Sequence, residues 1–194
     1  RILVVFSWVS VFWALFDQHG SSWVLQARRM DLSLWGLRIE AEQVGSVNPV
    51  LVMLFVPLTS RYLFPRLEAR GMKVTPLRRM SAGMFLAAGA FVASALIERS
   101  IVRQGLSEVS VLWQVIPYVI LTLAEVFLSV SGLEFAYSQA PPSMKSTIMG
   151  LWLLTASVGN VLASSLAGLT RWGHERFFWL FAAMMFVAAG GFAL

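Results

Sequence analysis

Six long apolar runs, separated by short polar or charged segments, limit this sequence to one class of structure. A helix needs about 20 predominantly apolar residues to cross the hydrocarbon core of a bilayer. Six stretches approach or reach that length, at residues 2–26, 44–64, 80–97, 112–135, 147–169 and 177–194. The sequence therefore predicts an all-α membrane protein that folds as a six-helix transmembrane bundle.

Composition and charge agree with an integral, multi-pass membrane protein. Apolar residues make up 58% of the chain and charged residues 13%, against about 45–50% and about 25% in soluble domains. The net charge of +5 does not indicate a nucleic-acid partner, because the basic residues lie between the apolar runs, where membrane orientation accounts for them. We place the protein in the bacterial inner membrane, with the lipid bilayer as its surroundings.

Motifs for soluble-enzyme chemistry are missing from the sequence. It has no phosphate-binding loop, no HExxH string and no GxSxG string, which are signatures of nucleotide, zinc-protease and serine-hydrolase sites. With no cysteine and two widely separated histidines, it offers no zinc-ligand pattern. We therefore predict that the protein is not an enzyme and that it holds neither a metal nor an organic cofactor.

The orientation of the bundle is predicted from one short loop. Six Lys and Arg residues lie between residues 61 and 79, with Glu68 as the one acid among them. The loops expected on the other side mix their basic residues with several acids. Because basic loops stay on the cytoplasmic side, we predict that residues 66–79 face the cytoplasm.

Glu125 stands near the middle of the fourth apolar run. A charge at bilayer depth costs about 2.5 to 3.5 kcal/mol on insertion scales, so such residues face a cavity or a partner and mark functional sites. Thr122 and Ser129 share the helix face of Glu125 because they are three and four residues away. We predict a polar pathway beside this face; the structural alternative is a protonated Glu125 that hydrogen-bonds a neighbouring helix.

Asp17 is a second acid at membrane depth, inside the polar string DQHGSS at residues 17–22. This string predicts a broken or hydrated segment in the first span. A carboxyl group at such a position can exchange a proton near neutral pH, which would suit proton coupling or a gate. The alternatives are that Asp17 caps a broken helix and that His19 has only a structural role.

Asn48 and Trp152 complete the set of candidate site residues. Asn48 precedes Pro49, and an amide beside a break in the helix is typical of binding sites at bilayer depth; a simple kink is the alternative. Trp152 should share a face of the fifth span with Ala156 and Asn160, lining a pocket or anchoring the helix at the lipid interface. Glu134 and Lys145 flank a polar hinge at residues 136–146 and could form an ion pair in a gate; an ordinary solvated pair is the alternative.

Three strings resemble the proton-dependent oligopeptide transporter family of the major facilitator superfamily. They are FDQHGSSWVLQARRMD (16–31), AEQVGSVNPVLVMLFVPL (41–58) and AEVFLSVSGLEFAYSQAPPSMKSTIMGLWLLTASVGN (124–160). The resemblance implies that residues 1–194 form the C-terminal six-helix bundle of a transporter, helices seven to twelve of a major facilitator fold. It also implies that the N-terminal six-helix bundle lies outside this sequence and that the last helix is truncated.

The resemblance further implies a function and a role for each candidate residue. The function is proton-coupled symport of di- and tripeptides by alternating access, with the proton gradient as the driving force. Glu125 is similar to the carboxylate that receives the peptide amino terminus, and the other substrate-binding positions are Ser129, Asn48 and Trp152. Asp17 matches a protonation or outer-gate acid that is often Glu in the family. The family's ExxER motif is missing from these residues, which places part of the coupling machinery in the other bundle.

Two alternatives remain open at this stage. The chain could belong to another major facilitator carrier, one that transports nitrate or another small anion. It could also be a membrane scaffold without transport activity. Against the scaffold are the two acids within the spans and the interrupted helices, which a purely structural bundle has no need to keep.

Overall fold

Six helical spans make up the computed structural model, as the apolar runs predict, and each is long and apolar enough to cross a membrane. The structure describes residues 2–166 and 173–193; the predicted span ends at residues 169 and 194 lie outside them. The spans cover Ile2–Ala27, Ala41–Ala69, Pro76–Gln104, Val111–Gln139, Pro142–Ser165 and His174–Ala193.

The first span is broken at the polar string, as predicted. Helix α1 covers Ile2–Phe16, a 3₁₀ turn covers Asp17–Gly20, and helix α2 covers Ser22–Ala27. The ring nitrogen Nδ1 of His19 lies 2.7 Å from the Phe16 carbonyl oxygen. The Ser21 amide donates to the Gln18 carbonyl at 3.1 Å. These local bonds satisfy groups that a continuous α-helix would have paired four residues away.

The second span has two irregular segments. A 3₁₀ turn, Ala41–Ser46, leads into α3, Val47–Leu58, which is followed by one π turn, Thr59–Leu63, and by α4, Phe64–Ala69. The prediction that Asn48-Pro49 interrupts this span is wrong. Pro49 lies in the first turn of α3. Backbone N–H groups in the first turn have no intrahelical acceptor, so the absence of an N–H at proline costs no hydrogen bond there. The interruption inside the span follows Pro57, which removes an interior hydrogen-bond donor.

Two loops on the side that we predict to face outward are connected by backbone hydrogen bonds. Between the first two spans, β1 (Ser33–Leu34) pairs with β2 (Leu37–Arg38) through a turn at Trp35 and Gly36, which both have positive φ. The Asp31 amide donates to the Val109 carbonyl at 2.8 Å, and the Val111 amide donates to the Asp31 carbonyl at 3.0 Å. Hydrogen bonds from Ser33 lower the pKa of the Asp31 carboxyl.

The remaining helices build the core. Helix α5 covers Pro76–Gln104, α6 covers Val115–Gln139, α7 covers Lys145–Leu166 and α8 covers His174–Ala193. Helix α5 packs against both α6 and α8, and α1 packs against α7. A Cβ at Gly83 of α5 would lie 2.8 Å from the Ala124 carbonyl oxygen of α6. Backbones therefore meet directly, as the Ala- and Gly-rich third run predicts.

A buried ion pair lies at the end of α5 that we predict to face outward. The third apolar run ends at residue 97, but α5 continues to Gln104, so the predicted end of this span is wrong. Glu98 is 1% exposed and forms an ion pair with Arg29. The Gln26 amide nitrogen donates to Glu98 Oε2 at 3.0 Å and to the Ser94 carbonyl at 3.0 Å. Gln114 in turn donates to Gln26 Oε1 at 3.1 Å. This network connects α2 to α5 and to the 3₁₀ turn, Val111–Gln114, that precedes α6.

Gly159 is a packing position that tests the contact between α1 and α7. A Cβ there would lie 2.6 Å from Trp13 Cβ and 2.9 Å from the Ser10 carbonyl oxygen. We expect Gly159→Val to lower the free energy of unfolding by about 1 to 3 kcal/mol, the usual cost of overpacking. Thermal unfolding in detergent measures the change.

Gly150 provides the matched control on the same helix. It is exposed, and a Cβ there would meet nothing within 4 Å, so Gly150→Val has the same helix-propensity effect without the collision. Equal melting temperatures for the two variants would show that α1 and α7 do not pack as closely as described.

Candidate functional site

Glu125 lies in the middle of α6 and is half-buried. The Asn48 side-chain nitrogen donates to Glu125 Oε2 at 3.1 Å and to Thr122 Oγ1 at 3.1 Å. Glu125 Oε1 has no hydrogen-bond partner among the described residues. The carboxylate is thus oriented by one amide and keeps one oxygen for a further donor.

A polar stripe on α6 surrounds this carboxylate. Tyr118, Thr122, Glu125 and Ser129 follow each other at four-, three- and four-residue intervals, so they lie on one face of the helix. The Tyr118 hydroxyl donates to the His19 carbonyl at 3.2 Å. The stripe therefore contacts the break in the first span through Tyr118. It contacts Asn48, at the start of α3, through Thr122 and Glu125.

Asp17 and His19 belong to the same region. Both lie on the 3₁₀ turn of the first span, which the stripe of α6 contacts through Tyr118, and both are partly buried. The His19 ring lies between two aromatic rings, with centroids 4.6 Å from Phe16 and 6.2 Å from Tyr118. Two carboxyl groups and an imidazole, the side chains that exchange protons most readily, are thus grouped at bilayer depth.

Trp152 is buried rather than lipid-facing, so the interpretation as an interface anchor is wrong. It is 4% exposed, and its ring stands edge-on to Phe6 at 5.6 Å. It also occupies the space where Gly132 has no side chain, since a Cβ at that glycine would collide with the indole. Gly132 is two turns from Glu125 along α6, so Trp152 lies at one end of the polar stripe.

The face predicted for α7 also needs correction. Asn160 is exposed, whereas Trp152 and Gly159 are buried. The buried stripe therefore follows Trp152, Thr155 and Gly159, and Asn160 points away from it. Asn160 and Trp152 therefore do not line the same surface of α7.

Ser129 is half-buried, like Glu125, but its hydroxyl group is shielded from solvent. Its hydroxyl oxygen is buried and has no hydrogen-bond partner within the described part of the chain. A buried hydroxyl without a partner is uncommon in folded proteins. The structure places it one turn from Glu125 on the same stripe, and its role as a pocket serine stays a prediction.

The predicted gate pair of Glu134 and Lys145 is not present. Glu134 instead accepts from Arg79 at 3.0 Å, and the Lys145 ammonium lies 4.0 Å from the centre of the Tyr137 ring. Both are short surface contacts at the loop ends of their helices, on the side that we predict to be cytoplasmic.

No group of three or more metal-ligating side chains occurs among residues 2–166 and 173–193. The chemistry available at the site is that of a carboxylate, an amide, hydroxyls and an imidazole. These groups can accept an ammonium, hydrogen-bond an amide and exchange a proton. A helical bundle with such groups at bilayer depth, beside interrupted helices, has the architecture of a secondary transporter.

Comparison with known proteins assigns the family. The model of the POT family matches residues 1–185, and the chain belongs to this family. It matches 93% of its length to the yeast (Saccharomyces cerevisiae) "Peptide transporter PTR2" at 27% identity. It matches 93% to the Arabidopsis thaliana "Protein NRT1/ PTR FAMILY 8.3" at 32% identity.

Solved structures agree with this assignment. The crystal structure of an auto-inhibited POT family peptide transporter superposes with a TM-score of 0.89 at 39% identity, covering 100% of this chain and 39% of that one. The structure of the POT family transporter PepTSo gives 0.86, also at 39% identity, over 100% of this chain and 40% of that one. The chain spans 31% of the yeast relative and 36% of the Arabidopsis relative, about a third of each.

Proposed function

We propose that this chain is the C-terminal six-helix half of a symporter that carries di- and tripeptides together with protons by alternating access. The observation that carries the proposal is the half-buried carboxylate of Glu125 in mid-span, held by Asn48 and with one oxygen left for a ligand. The family assignment supports it, since relatives in the same family are named peptide transporters.

A short peptide is a zwitterion, and the site matches two of its three polar parts. Glu125 Oε1 would receive the ammonium of the amino terminus. Asn48 and Ser129 would hydrogen-bond the peptide backbone, while Trp152 closes one end of the stripe. The Lys and Arg residues of the described spans lie toward the span ends. The cation for the substrate carboxylate would therefore come from an N-terminal six-helix bundle, the partner that we propose for this one.

Proton coupling would involve Asp17, which lies on the 3₁₀ turn that Tyr118 of the polar stripe contacts at His19. The driving force would be the proton gradient, with no cofactor. Protonation of either acid would change the net charge of the site, which would link proton occupancy to substrate occupancy. We propose the bacterial inner membrane as the location, because it maintains such a gradient.

Uptake by proteoliposomes that contain the protein from its complete reading frame tests this function. We expect labelled di- and tripeptides to accumulate when the outside is acid, and a protonophore to abolish accumulation. A dipeptide acetylated at its amino terminus should not be carried, because it offers no ammonium to Glu125. Counterflow driven by nitrate but not by dipeptide would contradict the proposal and favour an anion carrier.

A further inference from the structure

A cavity of about 560 Å³ lies between α4, the loop that follows it and the first turns of α5. Its walls combine an apolar surface with a basic rim. The apolar side chains include those of Phe64, Ala82 and Phe127, and the basic ones are those of Lys73, Arg78 and Arg79.

The basic rim carries charge that the protein does not neutralise. Arg79 is compensated, with Glu134 at 3.0 Å and Glu68 at 3.7 Å, and it lies 4.4 Å above the Phe64 ring. Lys73 and Arg78 have no carboxylate within 4.0 Å in the part of the chain that the structure describes. Arg78 donates to the Lys73 carbonyl at 3.2 Å. This bond holds the arginine at the rim, where both cations can meet an anion.

The position of the cavity matches the boundary of the bilayer. Thr75 caps α5, with its hydroxyl accepting from the Arg78 amide at 3.4 Å, and the third apolar run begins at Met80. The cations therefore stand where the span leaves the hydrocarbon. The wall at Ala82 and Phe127 lies further along the spans, on the hydrocarbon side. A phospholipid has the same order of groups, with a phosphate above an acyl chain.

We propose that this cavity binds one anionic phospholipid of the surrounding leaflet. Its phosphate would contact Lys73 and Arg78, and part of an acyl chain would lie against Phe64, Ala82 and Phe127. Basic pockets between membrane helices on the cytoplasmic side bind acidic lipid headgroups, and we predict the cytoplasmic side for this loop. The site is separate from the Glu125 region and does not depend on the transported substrate.

Native mass spectrometry of the delipidated protein, expressed from its complete reading frame, tests the site. Phosphatidylglycerol and phosphatidylcholine with identical acyl chains are the probes. We expect the first phosphatidylglycerol to bind more tightly than phosphatidylcholine. Lys73→Gln with Arg78→Gln should weaken its binding about 30-fold, from the usual contribution of two basic residues near an acidic headgroup.

Two further variants separate charge from shape. Arg66→Gln with Arg70→Gln removes the same charge from residues that do not line the cavity. Phosphatidylglycerol binding should then change less than about threefold, because charges that do not contact the headgroup are screened by water and salt. Ala82→Trp leaves the charge unchanged and fills the apolar wall from an exposed position. It should reduce phosphatidylglycerol binding as strongly as the loss of the cations.

Three outcomes would overturn the proposal. The first is equal weakening by the two double variants, which would mean a general charge effect. The second is full binding in Ala82→Trp, which would remove the acyl-chain contact. The third is displacement of the lipid from the unmutated protein by glycerol phosphate at equal concentration, which would identify a site for small anions; this arm does not depend on how any variant folds.

Discussion

Replacing Glu125 by Gln in the complete transporter should reduce dipeptide uptake by at least about 30-fold. The substitution removes the charge that would receive the substrate ammonium, and losing one partner of a desolvated charge pair costs about 2 to 5 kcal/mol. The glutamine oxygen can still accept from Asn48, whose nitrogen now lies 3.1 Å from Glu125 Oε2. Membrane insertion and the melting temperature should therefore stay unchanged, and only uptake should fall.

Glu108→Gln is the matched control for this experiment. Glu108 is exposed and lies in a loop between the third and fourth spans, and the chemical change is the same. We expect dipeptide uptake by this variant to equal that of the unmutated protein. Normal uptake by Glu125→Gln would show that the carboxylate does not bind the substrate. Glu125 would then have only a structural role, as a hydrogen-bonding partner of a neighbouring helix.

Replacing Arg29 by Gln should lower the free energy of unfolding by about 3 kcal/mol, at the lower end of the range for breaking a buried ion pair. Glu98 is 1% exposed and would lose its charged partner, while Arg29 keeps some contact with water at 29% exposure of its side chain. The Gln26 bond to Glu98 would remain. Unfolding in detergent, followed by tryptophan fluorescence, gives the measurement.

A double-substitution cycle separates the ion pair from general effects of the loop. Adding Glu98→Gln to Arg29→Gln removes the uncompensated charge, and the double variant should recover most of the lost stability, as neutral replacements of buried pairs do. Arg99→Gln, at an exposed neighbouring position, should have little effect. A loss in Arg99→Gln as large as that in Arg29→Gln would show that Glu98 is not paired as described.

Local patterns in the sequence account for much of this fold. Apolar runs predict the six spans because the bilayer requires helices of a fixed minimum length. The string at residues 17–22 predicts the broken first span, since its polar and small residues satisfy backbone groups locally. The spacing of Thr122, Glu125 and Ser129 predicts one helix face, which the structure shows.

Contacts between distant parts of the chain could not be predicted in this way. Asn48 and Glu125 are 77 positions apart, and the burial of Trp152 depends on the missing side chain of Gly132 on another helix. Periodicity places a residue on a face of its own helix but does not say which helix it meets. The sequence therefore identifies Asn48 and Glu125 as separate candidates, but it does not predict that they form a hydrogen bond.

Glu98 was missed although a signal was present. The charged residues around Glu98 are typical of a loop, and a helix predicted from apolar residues alone therefore ends at residue 97. Yet Ala87, Phe91, Ser94 and Glu98 follow each other at helical spacing and are all buried. Extending the apolar face of the third span by one turn would have placed this acid inside the bundle and raised the question of its partner.

The π turn at Thr59–Leu63 has a consequence for everything that follows it in the second span. A π turn adds one residue to the helix, and each residue of an α-helix rotates the chain by about 100°. Phe64 is thereby turned back toward the core, where it contacts Phe127 at 5.1 Å and lies beneath Arg79 at 4.4 Å. Shortening the turn by a single residue would rotate the Phe64 ring away from the Arg79 guanidinium, so that the ion pair with Glu134 would be the remaining contact of this arginine with α6.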